Sequence, residues 1–420
     1  MATNAHFLPA DRTASDTPSF LVASIGFFFS SRVFIVLASV RFLRLDAQTG
    51  TALGLALNYL LFGLVLFCSI GRAERTLDSV FRLPCVPWAL LFAGFGGCSL
   101  LWTVAFSTEA AAAFWCGMAA DLGMIILLVR LGPVSAVAST LAKGFVLGAC
   151  AVAVIAWGLP AQSDLRLGDE QLVGPNAIGY TCALAIFFAE YLIGVSHEKG
   201  IWKIALVLVA ITLVRSLSKT SIAAVALSHA VMLFTDKSLR RRTKVLILLG
   251  GLIGSLVFAG LFMSYWEVYT GNDGQAETLT GRTGIWLYIF TESLDRPWFG
   301  HGFHSVWKVI PPFYGDHFEA RHAHNELLQQ FYAYGTAGIL MMIGYYRSFY
   351  RRVRGLLRSP LRSILLGLLI FSLARGLTDT EVFDLTLPLW AVVLFSALIE
   401  DVSNEASSPG VTGLPSLAES

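Results

Sequence analysis

The chain has 420 residues, 55% of them apolar and only 14% charged, with a mean hydropathy of +0.67. Globular chains carry about 25% charged residues, so this one lacks the polar surface to cover itself in water, which excludes a disordered chain and argues against a soluble multidomain enzyme. The net charge of +2 is too balanced for a nucleic-acid binder, and no basic stripe interleaves with aromatics.

Residues 1–18 place Asp11, Asp16 and Pro18 ahead of the first apolar run. They lack the basic head of a cleaved signal peptide and read as a cytoplasmic tail. A spanning helix needs about 20 mostly apolar residues. Candidate runs follow at 19–40, 51–70, 84–106, 110–129, 134–157, 177–195, 201–215, 219–235 and 244–266, then at 329–346, 361–376 and 385–400. These runs are continuous, without the period-2 alternation of a membrane barrel. The expected fold is therefore all-α integral membrane, with about 12 transmembrane helices: spans 1–9 over 19–266 and spans 10–12 over 325–400. Residues 401–420 form a second cytoplasmic tail. Cys68, Cys85, Cys98, Cys116, Cys150 and Cys182 fall in or beside apolar stretches without CxxC spacing, and read as small buried side chains rather than a disulfide or zinc framework.

Lysine and arginine placement orients the bundle. With the N-terminus inside, eighteen of the thirty fall in inner segments, in dense blocks such as DKSLRRRTK and RSFYRRVRGLLRSPLR, and ten scatter on the outside. Both ends are then cytoplasmic. Residues 267–324 form one large periplasmic loop between spans 9 and 10, much longer than a tight connection requires. It carries seven acids against four positives, Trp286, Trp298 and Trp307, and five of the eight histidines. Its stretch RTGIWLYIFTESL reads as an amphipathic helix able to lie on the membrane surface. A plain linker would be Ser/Gly-rich; a loop of this composition reads as a lid or a binding site.

Three polar features sit where they are costly. Arg215 and Lys219 in LVRSLSKTS interrupt two apolar runs at an outer turn; Arg282 starts the loop's amphipathic helix; and RHAHNELLQQFYAYG sets Arg321, His322, His324 and Asn325 at the mouth of span 10. Ionisable groups at the membrane edge are functional candidates, the bland reading being a side chain that snorkels to lipid phosphate. Two arginines without acid partners nearby in sequence make a clamp suited to phosphate or diphosphate. His324, at a helix start where the dipole disfavours imidazolium, is placed to accept a proton. Asn325 follows as a cap or orienting partner. A histidine at a helix start can equally be structural. Gly335, eleven residues after His324, allows close helix approach at that depth.

TGRTGIW, RPWFGHGF and HAHNELLQQFYAYGTAG together resemble the signature region of the O-antigen ligase and Wzy-type polysaccharide polymerase family, with VGPNAIGY (carrying Asn176) and VRSLSKTSIAAVALS resembling its upstream motifs. The resemblance covers about 170–345 at motif level. It implies a glycosyltransferase of the bacterial inner membrane that works on the periplasmic face. The donor would be a polyprenyl-diphosphate-linked glycan and the acceptor a saccharide hydroxyl, on lipid A–core or on a growing polysaccharide, with membrane lipids around it and no cofactor, metal or nucleic acid. It also implies His324 as base, Arg282 and Arg215 as diphosphate-binding arginines, and Lys219, Arg321, His322, Asn325 and Asn176 around the substrate. Glu381 in LTDTEVF resembles a family acid.

Charge that develops on the diphosphate favours preorganised cations, and a base opposite the leaving group gives inversion. A metal site is the first rival, because His301, His304, His322 and His324 are close in sequence, but HGFH and HAH lack a ligand frame. A transporter of lipid-linked oligosaccharides is the second, though no internal repeat is visible. A membrane scaffold would leave the Arg/His cluster unexplained. Within the family, ligase and exopolysaccharide or O-antigen polymerase stay open.

Overall fold

The computed structural model describes residues 19–71, 74–160, 165–169, 172–235, 241–260, 263–264, 282–305 and 322–407. Residues 1–18 and 408–420, Arg321 and most of the 267–324 loop lie outside these, while 401–407, expected in the C-terminal tail, continue the last helix. Among the described residues there is no strand, only one isolated bridge between Asp169 and Val173. The protein is an all-α, multi-pass membrane protein.

The chain opens with α1 (Ser19–Ser31), α2 (Val33–Arg41) and α3 (Ala47–Ser69). The short α4 (Leu77–Phe81) and α5 (Val86–Ser99) follow, then α6 (Thr108–Leu128), α7 (Val134–Gly158) and α8 (Pro175–Val195). Next come α9 (Lys199–Ser216), α10 (Lys219–Thr235), α11 (Arg241–Val257) and α12 (Arg282–Ser293). The last three are α13 (Glu326–Gly355), α14 (Pro360–Gly376) and α15 (Leu389–Ser407). The starts follow local chemistry: Asp46, Thr76, Ser107, Asn325 and Ser359 each accept a backbone N–H of the first turn. Pro175 and Pro360 occupy first-turn positions that need no donor.

Among the described residues, four helices, α3, α6, α7 and α8, are long and apolar enough to cross a membrane, and a fifth span arises if α1 and α2 count as one, bent by 75°. The expected number of about twelve is not reached by this measure. The run 19–40 is broken at Arg32, whose guanidinium meets Asp121 at 2.6 Å. The run 84–106 is helical only to Ser99, because the chain beyond pairs with another segment: Val104 N–H donates to His301 O at 3.0 Å, and Thr103 Oγ1 to Phe303 O at 2.5 Å. The short α10 and α11 are apolar but stop below spanning length.

The core pairs α1 with α7. A Cβ on Gly144 would lie 1.9 Å from Ala23 O, and one on Gly26 would lie 2.1 Å from Leu141 O. Backbone-to-backbone approach of this kind replaces the hydrophobic drive that lipid removes. All six cysteines are free; Cys85 and Cys182 are buried as expected, whereas Cys98 and Cys116 are exposed on their helices.

Helix α13 carries the break that shapes the site. Gly335 adopts φ +62°, and a Cβ there would lie 2.5 Å from the Trp298 carbonyl carbon. The helical hydrogen bonds lost at this break are taken over by the segment 297–302. His301 and Gly302 N–H donate to Tyr332 and Ala333 O at 2.9 and 2.8 Å, while Thr336 and Ala337 N–H donate to Pro297 and Trp298 O at 2.7 and 3.1 Å. The close approach expected at Gly335 is therefore made by a loop that docks into the interrupted helix.

Candidate functional site

Four segments meet at one end of the bundle: the turn before α13, the turn after α14, the α9–α10 turn and the start of α12. His324 has φ +50°, a left-handed conformation uncommon for histidine. Its Nδ1 lies 3.2 Å from Asp379 Oδ1, with the histidine side chain 17% exposed and the aspartate 1%. A carboxylate only accepts, so Nδ1 is the donor, which assigns the lone pair of a neutral imidazole at this position to Nε2. Asn325 accepts the Leu328 N–H at 3.0 Å as the cap of α13 and donates through Nδ2 to Leu377 O at 2.8 Å. The cap ties the histidine turn to the aspartate turn.

Asp379 is held from several sides. Arg375 Nη2 lies 3.4 Å from Oδ2, Thr220 Oγ1 donates to the same oxygen at 3.5 Å, and the Thr380 N–H reaches Oδ1 at 3.1 Å. Arg375 also meets Glu381 at 2.9 Å and rests 4.2 Å over the Tyr180 ring. Burial alone would raise the Asp379 pKa; Arg375 and the His324 hydrogen bond outweigh it and hold the carboxyl below the usual range. Glu381 is pushed the other way, raised by burial although Arg375 opposes the shift. His322 packs against His324 with ring centroids 3.9 Å apart and accepts the His324 backbone N–H at 3.3 Å. Burial first, and then the Arg375 and Arg282 guanidiniums, push its imidazole down to about 3 against the opposing pull of Asp379. It is neutral at ordinary pH.

The two arginines are anchored separately. Arg282, the first residue of α12, donates to Thr378 O beside Asp379, and Trp286 Nε1 donates to Ala323 O at 3.0 Å, which ties α12 to the histidine turn. The buried face of α12, Ile285 and Ile289, packs on Ala323 and Tyr332, while Leu287 and Phe290 stay exposed. The amphipathic reading of this stretch fits that division. Arg215 donates to Leu165 O at 2.7 Å. It is joined to the site through the α9–α10 turn, where Leu217 is left-handed and Ser218 Oγ donates to Asn176 Oδ1 at 3.2 Å. Arg166 Nη2 donates to the same Asn176 oxygen at 2.9 Å. Lys219 is exposed at the start of α10. Arg282 and Arg215 thus flank the histidine turn and the α9–α10 turn, each anchored to a main-chain carbonyl; Arg321 lies outside the described residues.

Sequence reasoning missed Asp379 and left Arg375 and Glu381 without a role. Their signal was present: LARGLTDTEVFD puts four ionisable groups between two apolar runs. One consequence concerns metals. The donor atoms of His322, His324 and Asp379 lie within 4.8 Å of one another and could hold an ion, a set invisible to a search of histidine spacing because Asp379 comes from 55 residues downstream of His324. The buried guanidinium of Arg375 on the same carboxylate disfavours a second positive charge there.

Residues 204–343 match the Wzy_C family, described as O-Antigen ligase. The chain is also similar to the "Exopolysaccharide production protein ExoQ" of Rhizobium meliloti (strain 1021), 24% identical over an alignment of 269 positions that covers 58% of this chain. The match spans 62% of that relative's length. The matched segment holds the α9–α10 turn, α12 and the histidine turn, and it bears out the resemblance read from the motifs.

Proposed function

We propose that this chain is a membrane glycosyltransferase of polysaccharide assembly. It passes a glycan from a polyprenyl diphosphate to a hydroxyl of an acceptor sugar, on the periplasmic side of the inner membrane. The observation that carries the reading is His324 turned by Asp379 so that Nε2 can accept a proton, beside arginines that can meet a diphosphate. The acceptor O–H proton passes to Nε2, the acceptor oxygen bonds to the anomeric carbon, and the glycosidic bond to phosphate breaks on the opposite face. The leaving diphosphate takes the electron pair, and Arg282 and Arg215 meet its charge. Configuration inverts. The relative's name favours an exopolysaccharide product over lipid A–core as acceptor.

The test is single-turnover transfer from a polyprenyl-diphosphate glycan by the purified protein. His324→Ala should lower the chemical step by about 10²–10⁴ and leave donor binding intact. Arg282→Ala should weaken binding and rate together. Wild-type turnover with His324→Ala would remove the base from this reading. The proximity of His322, His324 and Asp379 supports a second reading, in which a metal ion activates the hydroxyl. Turnover should persist in EDTA; loss on chelation, restored by one divalent ion, would replace the arginine account with that one.

A further inference from the structure

The far end of the bundle holds a cavity that the transfer reaction does not use. Helix α13 runs from Glu326 at the histidine turn, through the break at Gly335, to its last turn at Arg352, and α15 likewise runs from the end of the 379–388 segment to Glu400 and Asp401. Between these ends, the 74–84 segment and the end of α6 lies a cavity of 510 Å³, within the range of small-ligand sites. Its lining includes the apolar Val80, Leu83, Val129 and Ala397, and three guanidiniums from two segments: Arg75 and Arg82 from 74–84, and Arg352 from α13.

These arginines have donors to spare. Arg75 meets Asp401 by one nitrogen at 2.6 Å, and Arg352 meets Glu400 by one nitrogen. The Nε of Arg352 is buried without a hydrogen-bond partner. Arg82 is held only by Asp78 of the same helix turn, in a pair whose side chains are 79% and 70% exposed, a kind of contact readily exchanged. Each guanidinium carries five N–H donors and meets its one carboxylate through a single nitrogen, with Asp78 outside the cavity lining. The Arg130 Nε donates to Arg75 O at 2.9 Å and Glu74 N–H to Arg130 O at 2.8 Å, so the segment bearing Arg75 is pinned to α6. An anion with oxygens on several sides can engage all three cations, whereas a carboxylate cannot. The apolar lining asks for an uncharged body attached to that anion.

We infer that this cavity is a binding site for a phosphate-bearing ligand, its phosphate held by Arg75, Arg82 and Arg352 and its uncharged part against Val80, Leu83 and Val129. The phosphate can come from a phospholipid headgroup or from a soluble phosphorylated metabolite. This does not depend on the proposed transfer reaction.

The full chain is reconstituted in phosphatidylcholine nanodiscs, and its Tm and bound adducts are measured by thermal shift and native mass spectrometry. One arm adds ADP or pyrophosphate to the solution; the other replaces part of the lipid with phosphatidylglycerol. A raised Tm and one retained adduct in the first arm identifies a soluble ligand, and in the second a lipid headgroup. Arg75→Gln with Arg82→Gln should abolish the response, as should Ser79→Trp, which obstructs the mouth and leaves the ion pairs in place. Arg215→Ala with Arg282→Ala should retain it, which separates this site from the histidine site. No response in either arm, or a response that survives Ser79→Trp, would overturn the inference.

Discussion

Asp379 decides what His324 can do. The carboxylate is 1% exposed and shares its oxygens among Arg375, Thr220 and His324. Asp379→Asn can still accept at Oδ1 but cannot balance Arg375. The variant should lose more than a hydrogen bond, because it removes one of the two carboxylates that balance the buried Arg375 and leaves Glu381 alone to do so. A lower Tm together with a fall in kcat at unchanged donor affinity is expected; unchanged Tm would mean Arg375 finds another partner. A second prediction follows from His322, whose pKa is pushed down to about 3. In the unfolded chain an imidazole takes up its proton near pH 6.5, while the folded chain refuses it until far lower. The unfolded state therefore binds the extra proton, and stability falls as pH drops from about 6.5 toward 4. Asp379 acts in a lower window. Its folded pKa is depressed, so its contribution is full above the ordinary aspartate range and declines only below about pH 4. Tm measured against pH should accordingly decline through the upper window in the wild type, and His322→Gln should flatten that decline. A parallel decline in both proteins would place the acid-sensitive group elsewhere.

At the scale of elements, the break in α13 is the feature whose loss should cost most. Gly335 at φ +62° pays no Cβ penalty, and an alanine there would meet Trp298 backbone at 2.5 Å. The left-handed conformation alone costs about 1–2 kcal/mol in any other residue, and the clash would push out the 297–302 segment whose four hydrogen bonds seal the break. Gly335→Ala should therefore lower Tm and turnover together. Gly250→Ala on α11, where a Cβ meets nothing within 4 Å, should leave both near wild type. Comparable losses at both sites would mean that general helix stability, and not the docked loop, governs the difference. The α1–α7 contact gives a second element-level test: Gly144→Leu has no room against Ala23 O at 1.9 Å and should reduce the folded yield.

For the whole molecule, the two ends of the bundle differ in chemistry. One end gathers His324, Asp379 and the arginines around them, and the other gathers Arg75, Arg82 and Arg352. In the proposed topology the first end is periplasmic and the second cytoplasmic, because most lysines and arginines lie in the segments that turn at the second. In a background without the native cysteines, Asp273→Cys should react with an impermeant reagent on intact cells, and Ser79→Cys only after permeabilisation. The reverse pattern would put the transfer site on the wrong side of the membrane.

The residue pattern by itself determined the medium, the helical class and the segments that hold the chemistry, since apolar runs and charge blocks are properties of the chain read locally. It pointed to His324, Arg282 and Asn325 because they stand beside helix starts that local chemistry marks. It overran at 84–106, where apolar composition continues but pairing with residues 301–303 ends the helix, and it did not show the bend at Arg32 within 19–40. Only the tertiary structure brought in Asp379, Arg375 and Thr220, contributed by α14, the turn after it and α10. Only the tertiary structure showed Gly335 as the point where a loop replaces helical hydrogen bonds. The physical reason is common to both: a hydrogen bond between residues 55 apart leaves no period or spacing in the chain, and exists only where packing closes the distance.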